Sequence, residues 1–313
     1  MKATQLAYFT ALLHRFSYFF VFYVGIWLEF KVMKKLVLFY VVVLSAILSS
    51  FVFTSCVGAQ SADSEIVYST ELAQQVGDFM AMLDEASGAS TGTYNFVQSL
   101  GCAGTGLSAC SNSTIIKNYA GCSSNGSTIE GSLTLLYTGT NSGTCQLNTV
   151  GDNVDVIPAF NHRTPENNLF EENKIGTYGL RIAYASGSGA SRNFTVTAQG
   201  VRRIYKLDGT TKYDVSTFVP TAMTLQKPDR ANRTLASAGT LRFQNSLTGE
   251  QCDLVPNAIT WSATCTCAVS GSWSGTCQQT GTFNLTLNGC GQATVSLGAE
   301  EPKAIQLTRC MMP

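Results

Sequence analysis

Two periodicities divide this chain. Around residues 72–83 apolar side chains recur at intervals of three and four, at Leu72, Val76, Phe79, Met80 and Leu83. That spacing predicts an amphipathic helix over residues 65–88, ended by Ser87-Gly88. Asp78, Asp84 and Glu85 fall off the stripe, on the face expected to meet solvent. The face lacks basic residues, so the helix is expected to pack on the body of the protein and not on a membrane surface.

From Thr91 onward the period shortens to two, between turns of Gly, Ser and Asn. Residues 114–119 and 128–137 read as strands, the second with Ile129, Leu133, Leu135 and Tyr137 on one face. Residues 178–185 alternate Tyr178, Leu180, Ile182 and Tyr184 against smaller or charged neighbours, a half-buried strand. Runs at 193–207 and 210–219 flank Asp208-Gly209, a strong short-range hairpin signal. Further strands are expected at 258–269, 282–287, 293–297 and 304–308, while residues 152–173, with Pro158, Pro165 and Asn167-Asn168, read as a long polar loop. No strand–helix–strand unit intervenes. The expected class is all-β: a disulfide-rich antiparallel β-sandwich or long meander with one N-terminal amphipathic helix. A β domain at 89–250 with an N-terminal cysteine cluster would precede a cysteine-rich β module at 251–313. Residues 131–139 and 281–289 share glycines and apolar positions, as a duplicated module or as chance likeness between Gly- and Thr-rich strands.

Ahead of this body lies a different pattern. Residues 33–56 read MKKLVLFYVVVLSAILSSFVFTSC. Lys34 and Lys35 are a short cationic start, 36–53 is apolar except for Ser45, Ser49 and Ser50, and Thr54-Ser55 sets small residues before Cys56. This is the layout of a secretory signal peptide. Its end, Thr54-Ser55-Cys56, resembles the lipobox of bacterial lipoproteins. The resemblance implies a signal peptide at 33–55, cleavage before Cys56, a diacylglycerol on the Cys56 thiol, and a further acyl group such as palmitate on the new amino group. It also implies an acylated tether at 56–64 and a lipid-anchored place in the cell envelope. Val57, in place of Asp, favours the outer membrane. Two or three acyl chains hold a protein on a bilayer where one does so only marginally. The other arrangement is a retained transmembrane helix, since 36–53 is just long enough to span. Residues 1–32 carry a second apolar run interrupted by Glu29, and are expected to be an upstream extension or a misassigned start, with translation beginning at Met33. A membrane hairpin is the alternative.

Setting aside residues 1–56 leaves 257 of the 313 residues, enough for one large β domain or two smaller ones. Of 20 basic and 20 acidic residues those 56 hold 5 and 1, leaving 15 against 19 and a net charge of −4. Nucleic-acid binding is not expected. Of 11 cysteines, lipidation of Cys56 leaves an even ten: Cys102, Cys110, Cys122 and Cys145, then Cys252, Cys265, Cys267, Cys277, Cys290 and Cys310. In an exported chain these are disulfide candidates. Cys265-Thr266-Cys267 is too constrained to close on itself and is expected to form two separate bridges. Zinc would want four ligands where histidines are lacking. No metal site or cofactor is expected.

Candidate chemistry is sparse. His162 is the one histidine beyond the leader, and no H-E-x-x-H motif is present. Asp152, Asp155, Glu166, Glu171 and Glu172 gather carboxylates in the expected loop. They suit either solvated surface acids or the acid and base of a glycosidase-like hydrolase. Residues 192–242 hold nine of the fifteen basic residues, and Arg202, Arg203, Tyr205, Lys206, Lys212 and Tyr213 straddle the hairpin. These six are the candidate binding residues, toward an envelope glycan, anionic headgroups or a protein partner. The expected function is a non-enzymatic binding or structural body on an envelope lipoprotein; the alternative is an envelope hydrolase using carboxylates within 152–172.

Overall fold

The computed structural model describes residues 62–85, 106–119, 122–124, 127–163, 169–207, 209–227, 230–265, 267–307 and 309–310. The leader, Cys56, Cys102 and Glu166 lie outside the described residues. Residues 62–313 belong to one compact unit.

Helix α1 spans Ala62–Glu85. Its predicted stripe of Leu72, Val76, Phe79, Met80 and Leu83 is fully buried, and so are Ala73, Ala81 and Met82 between those positions. Burying each of the large side chains contributes roughly 1.5–3 kcal/mol. Two of the acids expected on a solvated face are buried too: Asp84 pairs with Arg233 at 3.1 Å, and Asp78 meets Arg203 and Arg309; the Glu85 side chain lies outside the described residues. From Leu72 to Asp84 most of the helix is buried, and Asp78 and Asp84 are held by arginines from the sheet side and the C-terminal tail.

The first half of the chain supplies β1 (Gly106–Leu107), β2 (Thr114–Asn118), β3 (Cys122–Ser124), β4 (Ser127–Thr138), β5 (Asn153–Arg163), β6 (Leu169–Lys174), β7 (Leu180–Ser186) and β8 (Asn193–Leu207). The second half supplies β9 (Thr210–Gln226), β10 (Thr234–Leu235), β11 (Thr240–Asn245), β12 (Gln251–Trp261), β13 (Ala268–Cys277), β14 (Gly281–Leu287), β15 (Gln292–Leu297) and β16 (Lys303–Gln306). All sixteen join one antiparallel sheet, the long meander of the two expected forms. Three positions in the meander hold a broken strand. β2 and β3 lie end to end along β4, β6 and β7 between β5 and β8, and β10 and β11 between β9 and β12. Breaks of this kind bend a sheet and sharpen its twist. Here the sheet curls about α1, which touches Trp273 on β13 through Phe79 (5.9 Å, edge to face), the backbone of Gln306 on β16 through Gln74, and Arg203 on β8 through Gln75.

Within the expected loop at 152–173, residues 153–163 form β5 and residues 169–173 most of β6, while Pro165 and Asn167-Asn168 lie outside the described residues. Pro158 survives inside β5 because it falls between the stretch paired with β7 (residues 153–156) and that paired with β6 (residues 159–163). It faces the break near Gly179, where the N–H it lacks has no strand waiting for it. The expected strand at 258–269 is likewise divided, its middle forming the turn from β12 to β13. The sheet continues through residue 250, so the cysteine-rich segment extends it by further strands.

Cysteines staple both the N-terminal and the C-terminal parts of the sheet. Cys110–Cys145, Cys252–Cys277, Cys265–Cys290 and Cys267–Cys310 are disulfides, and Cys122 is disulfide-bonded too. Cys265 and Cys267 go to separate partners, one in the turn after β14 and one beyond β16. The last presses on the helix: a Cβ at Gly77 would sit 3.3 Å from Leu307 Cβ and 3.5 Å from Cys310 Sγ.

Candidate functional site

Strand register brings together residues far apart in sequence. At one end of the sheet a cross-strand row runs Ile129 (β4), His162 (β5), Phe170 (β6), Tyr205 (β8) and Tyr213 (β9). One step inward along the same face comes Gly131, Phe160, Glu172, Arg203 and Val215. Successive side chains on a strand alternate between faces, so these two rows lie on one side of the sheet, against the helix. From α1, Glu71, Gln75 and Asp78 follow at helical spacing down one face, and Arg309 enters from beyond β16. Between them is a cleft of about 340 Å³, lined also by Ile204 and Glu171. That volume lies at the low end of small-molecule sites, roughly 300–1,000 Å³.

The inner row holds a buried ionic quartet. Nε of Arg203 donates to Oε2 of Glu172 at 2.7 Å and lies 3.3 Å from Oδ2 of Asp78. Arg309 reaches the same two acids, Glu172 at 2.7 Å and Asp78 at 3.4 Å. Arg203 also donates to Oε1 of Gln75 and to Thr217. Burial works to raise the Glu172 carboxyl, but the two guanidinium groups outweigh it and hold the group below the usual carboxylate range. Asp78 goes the other way: burial dominates, Glu172 adds to it, and the arginines offset only part. Arg309 is fixed as a cation, its burial outweighed by the two acids. The quartet is formally neutral.

The outer row is aromatic. Phe170 stacks between His162 (5.8 Å) and Tyr205 (4.5 Å). Burial, and then the charge of Arg309, lower the pKa of His162, so its ring is neutral at pH 7. Across the cleft, burial alone lifts Glu71 to about 7. No ion pair to Glu71 occurs among the described residues.

The six candidate binding residues are divided by the pleat. Arg203, Tyr205 and Tyr213 line the cleft. Arg202 turns to the outer face and makes a two-pronged contact with Asp214 (2.8 and 2.6 Å), Lys206 pairs with Glu171 at 2.6 Å, and Lys212 is exposed. The acids of 152–172 are divided as well. Asp155 is engaged by Arg181 (2.6 and 2.7 Å). Asp152 accepts hydrogen bonds from the backbone of Asn141, Asn148 and Thr149 and from the Asn141 side chain; against an opposing effect of burial, these hold it at about 2. Only Glu171 and Glu172 of the described acids in that stretch reach the cleft. Sequence reasoning missed the helical contributors, Phe160, Phe170 and Arg309. The signal for the first was the off-stripe acid Asp78, and for the aromatics the alternation Phe160-Asn161-His162.

Glu250, Cys252 and Cys277 are the one described group spaced to hold a metal ion. The two cysteines are bonded to each other, so they offer no thiolate. Comparison with protein-family models, curated proteins and solved structures finds no match, and the chemistry of the cleft rests on its own residues.

Proposed function

We propose that this chain is an envelope-anchored lipoprotein, held on the outer membrane by acylated Cys56, whose β body binds a ligand without transforming it. The observation that carries the binding role is the cleft between α1 and the ends of β5, β6 and β8, concave, mainly apolar and furnished with a few fixed polar groups. Its strongest charges serve each other, as Glu172 is committed to two arginines. A concave site of this size suits a small molecule or a chain end better than a flat protein face. The address rests on the leader of residues 33–56, and the disulfides of the body fit an oxidising compartment. Tritiated palmitate fed to producing cells should label the wild type and leave Cys56→Ala unlabelled. An unlabelled wild type would end the lipoprotein reading.

One observation favours the glycosidase-like alternative. Glu71 and Glu172 line the same cleft with pKa values pushed in opposite directions, as an acid and a base require. Hydrolysis of p-nitrophenyl glycosides by the wild type, lost in Glu71→Gln while the fold persists, would establish it.

A further inference from the structure

The cleft's charges and ring geometry narrow the class of ligand, on the reading that it is a binding site. Every permanent cation that lines it is matched: Arg203 and Arg309 by Asp78 and Glu172, at 2.7 to 3.4 Å. Glu171 is matched by Lys206 at the rim. What remains is Glu71 from the helix, which shares the cleft with the neutral ring of His162 from β5, the two tyrosines of β8 and β9, and the quartet. An anion entering would meet no uncommitted cation. A cation would meet arginines whose counter-charges are already taken and, at pH 6, a Glu71 that burial keeps largely protonated. Either ion would also leave water for walls built from Ile129, Phe160, Phe170 and Ile204, a costly transfer without a partner.

The rings argue against sugar stacking. A pyranose packs on an exposed aromatic face, yet Phe170 has one face toward His162 and the other toward Tyr205. The row therefore offers ring edges to the cleft. Edges and aliphatic carbon make an apolar slot suited to hydrocarbon.

The geometry points to a site for an uncharged, predominantly apolar group, such as a fused ring or the end of an acyl chain, inserted between Glu71 of the helix and the His162–Phe170–Tyr205 row.

Three probes of one shape test it: 2-naphthalenemethanol (neutral), 2-naphthoate (anionic) and 2-naphthylmethylammonium (cationic). Each is titrated by equilibrium dialysis at pH 6 against the full chain in nanodiscs, with empty nanodiscs as background. The neutral probe should bind at one per chain, at least about tenfold tighter than either ion. Ile129→Trp, which fills the slot, should abolish the binding while the thermal melt and circular dichroism persist. Glu71→Lys leaves the slot open and adds a cation, so the order of neutral and anionic probes should reverse, an outcome that mere loosening of the fold does not produce. If an ion binds the wild type best and Ile129→Trp abolishes it, the ligand class is wrong and the binding role stands. If no probe binds the folded wild type above background, or if neutral binding survives Ile129→Trp, the slot is not a ligand site and both readings of it fall.

Discussion

Replacing Arg309 with Met should destabilise the protein far more than an exposed arginine would. Arg309 is 13% exposed at its side chain, lies 2.7 Å from Glu172 and 3.4 Å from Asp78, and covers the ring of Phe160 at 5.2 Å. Without it two buried acids share the single cation of Arg203. Breaking a buried ion pair by removing one partner costs about 3–5 kcal/mol, because a desolvated charge is left uncompensated. At roughly 2–4 °C per kcal/mol for a body of this size, the melting temperature should fall by about 6–20 °C. The matched control is Arg242→Met, whose ion pair with Asp253 at 2.7 Å has side chains 32% and 40% exposed and is worth about 0–1 kcal/mol. Urea unfolding with the disulfides oxidised, followed by the fluorescence of buried Trp261 and Trp273, reports both. Two features separate this account from a simple packing loss. In the variant one of the two acids should take up a proton in the folded state, raising its pKa above the unfolded value. The stability that proton restores is present at pH 5 and lost as pH rises, so the deficit should be larger at pH 8. Adding Asp78→Leu should recover part of the loss by leaving the Arg203–Glu172 pair neutral, and more readily because Oε1 of Glu172 and Nη2 of Arg203 are buried without a hydrogen bond even in the wild type. The reasoning fails if Arg309→Met costs no more than Arg242→Met, or if the double variant loses the sum of the two single losses.

Glu71, raised by burial from its ordinary 4.5 to about 7, binds a proton in the folded state over a range where the unfolded chain does not. Its contribution is present below about pH 4.5 and lost as pH rises through 7, and a Glu71→Gln variant should flatten that part of the stability–pH curve. Asp152 has the opposite sign: its folded pKa near 2 gives stability above about pH 4 that disappears as pH falls through 2. Asp152→Ala should cost about 1.5–3 kcal/mol at pH 7, measured by urea unfolding, and progressively less in acid. Replacing Cys267 and Cys310 together with alanine should cost about 2–5 kcal/mol, and should also weaken binding of 2-naphthalenemethanol, since Cys310 adjoins Arg309 and its sulfur packs on Gly77 beside Asp78.

Local pattern carried the elements well wherever one face of an element decides its fate. The three-and-four spacing of Leu72, Val76, Phe79, Met80 and Leu83 marks a helix that the structure places over Ala62–Glu85. The Asp208-Gly209 pair joins β8 to β9, with Leu207 opposite Thr210. The failures share a cause. At Pro158 a residue that local rules set outside a strand is tolerated because the neighbouring strand is broken opposite it, a fact about a segment twenty residues on. At Asp78 and Asp84 charge argued for solvent, while arginines more than a hundred residues away made burial possible. Neither partner is near in sequence.

The cleft was harder to foresee for a geometric reason. Period two tells which side chains share a face of one strand, but a site built across five strands also needs their registers, and register is set by pairing between distant segments. Ile129, His162, Phe170, Tyr205 and Tyr213 become neighbours only once β4, β5, β6, β8 and β9 are aligned, and a slip of one residue in any of them would send its member to the other face. The same pleat explains why the basic stretch at 202–213 misleads as a patch. Arg202 and Arg203, adjacent in sequence, are thrown to opposite sides, one to Asp214 on the outer face and one to Glu172 within. In an enclosed strand, then, a run of charges predicts two half-sites on two faces, and only the half that meets the helix became part of the cleft.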